Sequence, residues 1–461
     1  MLQLLPITDQ MAALEAGQTT SRELVEKCLA AAADPSGEGA RAFTRIYDTS
    51  ARHGADAIDK QRRTVVDLGS LLGLPISVKD LFDVAGEPTP AGSKVLKNAP
   101  PATKDAAVIK RLRAAGAILV GRTNMTEFAF SGLGINPHYG TPRNPYDRTN
   151  GRIPGGSSSG AAVSVADGMA AAAIGTDTGG SLRIPAALCG LTAFKPTARR
   201  VPLQGVLPLS RSLDSVGAIA PTVACCARID AVLSGDAPTP LLPCEMAELR
   251  VGVLQGYVLD GLDAYVARRF EAALSILSTA GAHLAEVRFS TLHEIPESYA
   301  GGGIPAYESY DWHRQLIATQ REFYDPRVLV RIQRGKEISQ TDYLELMDTR
   351  CRIIAEADRA FSDSDVWLLP TVPRIAPVIS ELVSDDAAYF EANAAMLRNS
   401  SIFNFLDGCA LSIPCHLPGE APVGLMLAAP GGQDRNLLRI GLAMETALAE
   451  AGCAIVRAPL Q

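Results

Sequence analysis

Histidine is scarce in this chain: six residues in 461, at positions 53, 138, 283, 293, 313 and 416. The nine cysteines are odd in number, spread from Cys28 to Cys453, and include no C-x-x-C pair. Cys225 and Cys226 are adjacent, but too few other ligand residues lie nearby to hold a metal. These absences exclude a disulfide framework or a zinc ribbon. They leave reduced thiols packed as small hydrophobes, the pattern of a cytoplasmic protein. No Lys/Arg-rich run breaks a net charge of −7, so nucleic acid is a poor partner. No stretch of about 18 apolar residues lacks a charge, so no membrane partner is expected. Met1-Leu-Gln-Leu-Leu-Pro6 has neither the basic start nor the apolar core of a signal peptide.

What is present is an ordinary globular balance, 47% hydrophobic and 20% charged, with ample material for a large core. Thr20-Ser-Arg-Glu23 has the spacing of a capping box and opens a helix through Leu24, Cys28 and Ala31. Val65 to Val78 reads as a turn at Gly73 and Pro75 and a short buried strand ending at Lys79-Asp80. One pattern then recurs: a helix closed by glycine and followed at once by an apolar strand. It is predicted at 105–115, Gly116 and 117–120; at 264–280, Gly281 and 283–287; and at 437–451, Gly452 and 453–456. This is the αβ half of a layered α/β fold. Residues 185–221 read as ordered loop and short strands, and 236–248, with three prolines, as a surface crossing. The stretch 299–349, rich in aromatics and charges, carries no clear period and reads as a substrate-facing insertion.

Two glycine-serine runs stand out: Gly155-Gly-Ser-Ser-Ser-Gly160 and Gly175-Thr-Asp-Thr-Gly-Gly-Ser-Leu-Arg-Ile-Pro185. Two glycines before Ser181 leave its hydroxyl uncrowded and the neighbouring N–H groups free to face a ligand. That is what a serine nucleophile with a backbone oxyanion hole requires. The plainer reading is a glycine turn capping a helix near Ile184-Pro185. Against it stand Asp177 and Arg183, placed to brace the turn by an ion pair, and the second serine cluster upstream. Gly156-Ser-Ser-Ser-Gly160 also matches the G-x-S-x-G elbow centred on Ser158. No β-branched strand leads into it, however; Arg148-Thr-Asn-Gly-Arg-Ile-Pro154 precedes it.

The stretch from Gly155 to Ala186 resembles the signature of the amidase signature family, serine hydrolases with a Ser-Ser-Lys triad. Gly73-Leu-Pro-Ile-Ser-Val-Lys-Asp80 resembles the family's lysine strand, and Asn404 to Leu427 its C-terminal strands. The similarity spans about residues 8–456 and is weakest between about 235 and 400. The resemblance implies one large α/β domain over 1–461, a mixed twisted sheet covered by helices on both faces. Within it lie an N-terminal helical segment to about residue 60 and a variable substrate-facing region at about 235–400. It implies Ser181 as nucleophile, Ser157 behind a cis peptide bond as relay, and Lys79 as base. The N–H groups of Thr178, Gly179, Gly180 and Ser181 would form the oxyanion hole, with Asp177, Arg183 and Ser158 as loop supports. No metal or organic cofactor is implied, in keeping with the few histidines. A lysine acts as base only when neutral; lowering its pKa from about 10.4 to about 7 costs about 4.6 kcal/mol, which burial can supply.

Ala129, Phe130 and Ser131 match by spacing to Asn136-Pro137 the family loop that lines the substrate. Phe128, Phe130 and Leu133 would make an apolar wall, and Tyr299, Tyr307, Tyr310 and Trp312 an aromatic lid. The resemblance therefore implies a stand-alone hydrolase of small hydrophobic or aryl amides, with carbamates and esters in reach. The main rival is the amide-cleaving component of a glutamine-dependent aminoacyl-tRNA amidotransferase, whose glutamine-recognition segment is not seen between 300 and 320. A silent binding role is disfavoured because Lys79, Ser157 and Ser181 are all present. The partner expected is a small amide-type substrate, with a homodimer as a family-level expectation.

Overall fold

The computed structural model describes residues 5–62, 69–237 and 239–454. Residues 65–68 of the expected turn, Pro238 of the crossing, and Ile455 and Val456 lie outside the described residues. Eleven strands share one sheet: β1 Phe43–Ile46, β2 Pro75–Lys79, β3 Ile118–Thr123, β4 Ala172–Asp177, β5 Thr192–Lys195, β6 Ser215–Ala220, β7 Arg250–Leu254, β8 His283–Val287, β9 Val366–Pro370, β10 Cys409–Pro414 and β11 Gly424–Ala429. Their order is β1-β3-β2-β4-β6-β5-β10-β11-β9-β7-β8. The pairs β3/β2, β2/β4, β9/β7 and β7/β8 are parallel and the remainder antiparallel. The sheet is mixed, as expected for this α/β class.

Central strands are buried along their whole length, and alternate residues feed two separate cores. Ala172 and Ile174 of β4, Phe194 of β5, and Ala218 and Ala220 of β6 join one core with the helices Val223–Ser234 and Asp434–Glu450. Ala173, Ala193 and Ile219, one residue out of step, join the other with the helices Ser159–Ala166 and Arg183–Cys189. A one-residue slip would exchange the two faces, so this patterning pins the register. The edge strand β8 is exposed or half-buried throughout.

Local signals explain the element ends. The Thr20 side chain accepts from the Glu23 N–H in a complete capping box before the helix Ser21–Ala33. Gly116 and Gly281 follow the helices Ala107–Ala114 and Ala264–Thr279 with positive φ, where glycine is favoured. The third expected repeat is corrected in part. The helix Asp434–Glu450 ends at Gly452, but Cys453 and Ala454 form no strand; the Ala454 N–H instead donates to the His416 carbonyl at 2.7 Å. Residues 299–349 are mostly helical, in Gly303–Gln320, Pro326–Gln333 and the start of Gln340–Ala360. No helix among the described residues is long and apolar enough to cross a membrane.

Parallel pairing of β2 and β4 brings their C-terminal ends together, Lys79 on one and Asp177 on the other. The Ser159–Ala166 helix, which packs beside β4, starts directly after the first serine run. The two glycine-serine runs and the lysine thus meet at one end of the sheet.

Candidate active site

Lys79 is fully buried. Its Nζ lies 2.8 Å from Ser157 Oγ and 2.9 Å from Thr176 Oγ1. Burial pushes the Lys79 ammonium down to about 7, against partial support from the Asp177 and Asp214 carboxylates. Once neutral, the amine has a lone pair to accept the Ser157 proton. Lys195 on β5 is equally buried and held down to about 8 by burial, but its Nζ donates to the Pro196 carbonyl at 2.7 Å and reaches no serine. Burial alone therefore does not make a base; contact with the Ser157 hydroxyl separates Lys79 from Lys195.

The peptide bond Gly156–Ser157 is cis. The bond is clamped from both sides by one loop: the Gly156 N–H donates to the Gly132 carbonyl at 2.8 Å, and the Thr126 N–H to the Ser157 carbonyl at 3.1 Å. A Cβ on Gly156 would meet the Gly134 nitrogen at 2.4 Å, so no larger residue fits there. Ser158, centre of the G-x-S-x-G match, is buried, and its Oγ donates to the Thr176 carbonyl at 3.4 Å, as a support.

Ser181 lies between β4 and the Arg183–Cys189 helix and is nearly buried. The Ser158 N–H donates to its carbonyl at 3.3 Å, tying the two runs together. Among the described residues its hydroxyl has no hydrogen-bond partner. Gly180 has φ +129°, and a Cβ there would sit 2.0 Å from Ser400 Oγ. Only glycine satisfies both conditions.

Asp177 and Arg183 form the expected brace. The guanidinium meets both carboxylate oxygens, at 3.1 and 2.9 Å. It also donates to the Ser400 carbonyl at 2.9 Å and Asn404 Oδ1 at 2.7 Å. Burial alone would push the Asp177 carboxyl up, but the Arg183 guanidinium holds it well below the usual carboxylate range. The expected oxyanion hole is corrected at one position. The Gly180 N–H donates to Asp177 at 2.8 Å, so it belongs to the brace. The Thr178, Gly179 and Ser181 N–H groups have no acceptor among the described residues and are the ones open to an oxyanion.

Thr176, Asp214, Ser400 and Asn404 were not singled out by the sequence. Thr176 stands two residues before the turn and shares Lys79 with Ser157. The buried Asp214 carboxylate accepts from Thr178 Oγ1 and from the Leu209 and Ser210 N–H groups at 3.0 and 3.1 Å. Burial pushes it up to about 6. Asp214 follows Ser212-Leu213 just before β6, and its polar character at the mouth of a buried strand was the available signal.

The expected substrate wall is present in part. Phe128 and Ala129 have φ of 49° and 61°, in the loop that clamps Ser157. Phe128 packs on His313, Tyr324 and Trp312 with ring centroids at 4.4, 5.4 and 6.2 Å. Burial drives His313 down to about 3, so it is neutral. Ser131 Oγ donates to Asn393 Oδ1 at 3.0 Å and accepts from the Leu133 N–H, a structural commitment. Leu133 is buried with Ile184, Leu188 and Met396 and is core. Of the expected lid, Trp312 alone meets the Phe128 wall; Tyr299 packs on Phe405 at 6.0 Å and Tyr307 stacks on Tyr343 at 4.3 Å. Among the described residues no cluster of His, Cys, Asp and Glu could hold a metal ion.

Comparisons with known proteins point the same way. The chain is 39% identical over 417 residues to the 2-amino-5-chloromuconic acid deaminase of Comamonas testosteroni, covering 89% of this chain and 88% of that one. It is 33% identical over 473 residues to the glutamyl-tRNA(Gln) amidotransferase GatA-type component of Chloroflexus aurantiacus, covering 95% of both. A crystal structure of an amidase superposes with a TM-score of 0.85 at 32% identity, over 96% of this chain and 99% of that one. The family model Amidase matches residues 23–438. The chain belongs to the amidase family and is an amidohydrolase of amide-type C–N bonds.

Proposed function

We propose that the chain cleaves small amides through an acyl-enzyme on Ser181, with Ser157 as relay and Lys79 as base. The observation that carries this reading is the buried Lys79 Nζ, 2.8 Å from Ser157 Oγ, in a run tied to Ser181. Neutral Lys79 takes the Ser157 proton while Ser157 takes that of Ser181, whose oxygen attacks the carbonyl carbon. The oxyanion is held by the Thr178, Gly179 and Ser181 N–H groups, each worth about 3 kcal/mol in comparable sites. The proton returns through Ser157 to the leaving nitrogen, the C–N bond breaks, and an amine departs. Water then attacks the ester, giving the acid and free Ser181.

The Phe128–Phe130 wall favours substrates with an apolar or aryl portion, and carbamates and esters fit the same chemistry. The relative named for 2-amino-5-chloromuconic acid places small unsaturated acids among the first substrates to screen. The likeness to a glutamyl-tRNA(Gln) amidotransferase component supports glutamine as a second reading, tested in the same panel. A fluorophosphonate probe is expected to label one serine stoichiometrically, and Ser181→Ala to abolish labelling. Absence of labelling in the intact protein would overturn the reading. Amine release from amides, anilides, ureas, carbamates, esters and glutamine then ranks the substrates.

A further inference from the structure

The loop that clamps Ser157 carries, on its far side, a cation with no counter-charge. Arg331 lies on the helix Pro326–Gln333, with its guanidinium 4.6 Å from the centroid of the Phe130 ring. Its Nη1 is buried and has no hydrogen-bond partner. No carboxylate pairs with Arg331 among the described residues, and Arg334 beside it adds like charge. Burial lowers the Arg331 guanidinium to about 10, so it stays charged at neutral pH.

A second orphaned donor belongs to the same neighbourhood. Tyr389, on the helix Asp386–Arg398, is fully buried and its hydroxyl lacks a partner. The nearby Ser131 hydroxyl is already committed to Asn393 and the Leu133 N–H. The one cation over the Tyr389 ring, Arg327 at 4.7 Å, is neutralised by Asp386 at 2.7 Å. The other titratable group against this wall, His313, is uncharged. An unpaired buried guanidinium and an unpaired buried hydroxyl are both costly to keep. Phe130 and Ser131, which touch them, sit between the two hydrogen bonds that hold the Gly156–Ser157 peptide.

We propose that Arg331 and Tyr389 form a subsite for a carboxylate carried by the substrate, so that the preferred substrates are anionic small amides. The proposal rests on Ser181 being the nucleophile. A carboxylate would satisfy both donors at once, and an Arg–carboxylate pair is among the stronger and more directional contacts available. The aromatic wall would then hold the part of the substrate between that carboxylate and the scissile bond.

The test compares matched amides differing only in a carboxylate against a carboxamide, with kcat and KM measured separately. The wild type is expected to favour the carboxylate member by about a hundredfold in kcat/KM, chiefly through KM. In Arg331→Gln that preference ratio should fall at least about tenfold, with part restored in Arg331→Lys and a smaller fall in Tyr389→Phe. Simple carboxylates such as benzoate should inhibit the wild type competitively and inhibit Arg331→Gln more weakly. Equal turnover of both members by the wild type overturns the subsite, as does an equal loss on both members in a folded Arg331→Gln. Failure of the parent reading looks different: neither member is hydrolysed and Ser181 is not labelled.

Discussion

The sheet end that holds the serine runs and the helices beyond residue 299 are built on opposite plans. At the sheet end nearly every buried polar group is satisfied: Asp177 takes Arg183, Asn404 and the Gly180 N–H, and Lys79 takes two hydroxyls. Its positions are set by backbone, through parallel strands, a cis bond and glycines that admit no Cβ. Among the helices, Arg331 Nη1, Tyr389 Oη and His313 Nε2 are buried without partners. A region complete in itself holds the atoms that break the bond. A region left incomplete has room for groups a ligand supplies. The family's shared chemistry and its varied substrates follow from that division.

The largest effects should come from the complete region. Ser181→Ala is expected to lose about 10⁴-fold or more in amide hydrolysis, measured as amine release. Lys79→Ala should lose about 10³-fold on amides and roughly tenfold less on esters, because a poor leaving group needs the returned proton. Equal losses would remove Lys79 from the proton path.

Stability should follow the same contrast. Arg183→Met leaves the Asp177 carboxylate buried and unpaired, a loss of about 3–5 kcal/mol in denaturant unfolding. Gly180→Ala forces a positive φ and a clash with Ser400, for about 2 kcal/mol. Lys79 behaves inversely. It is held near 7 folded and near 10.5 unfolded, so between those values the unfolded chain binds more protons and stability rises with pH. Relative to the wild type, Lys79→Met should be most favoured below about pH 7, and that advantage should vanish by about pH 10.5. In the incomplete region, Trp312→Phe should shift KM by only about threefold to tenfold and leave probe labelling intact.

The same division explains what could be read in the sequence. The capping box at Thr20, the glycine stops and the strand to Lys79 are local signals, and the structure has them. So are the two serine runs, whose meeting with Lys79 needed only the pairing of β2 with β4. The helix Gly303–Gln320 was obscured because it buries Ser309 and His313 beside Ile304, Ala306 and Ile317, and polar residues on the inner face blur the helical period. Asn404 and Asp214 were missed because their roles depend on contacts across 227 and 36 residues. The Gly180 N–H was assigned to the oxyanion because a sequence does not show that Asp177 turns back to take it.

The central claim is that a neutral, buried Lys79 draws the proton from Ser181 through Ser157. Its most direct test is the pH dependence of kcat/KM for an amide, in the wild type and in Lys79→Ala. Wild-type activity should rise with pH through an ionisation near 7, and the variant should lose that limb. The same limb persisting in Lys79→Ala, or a flat wild-type profile from pH 5 to 9, would contradict the claim.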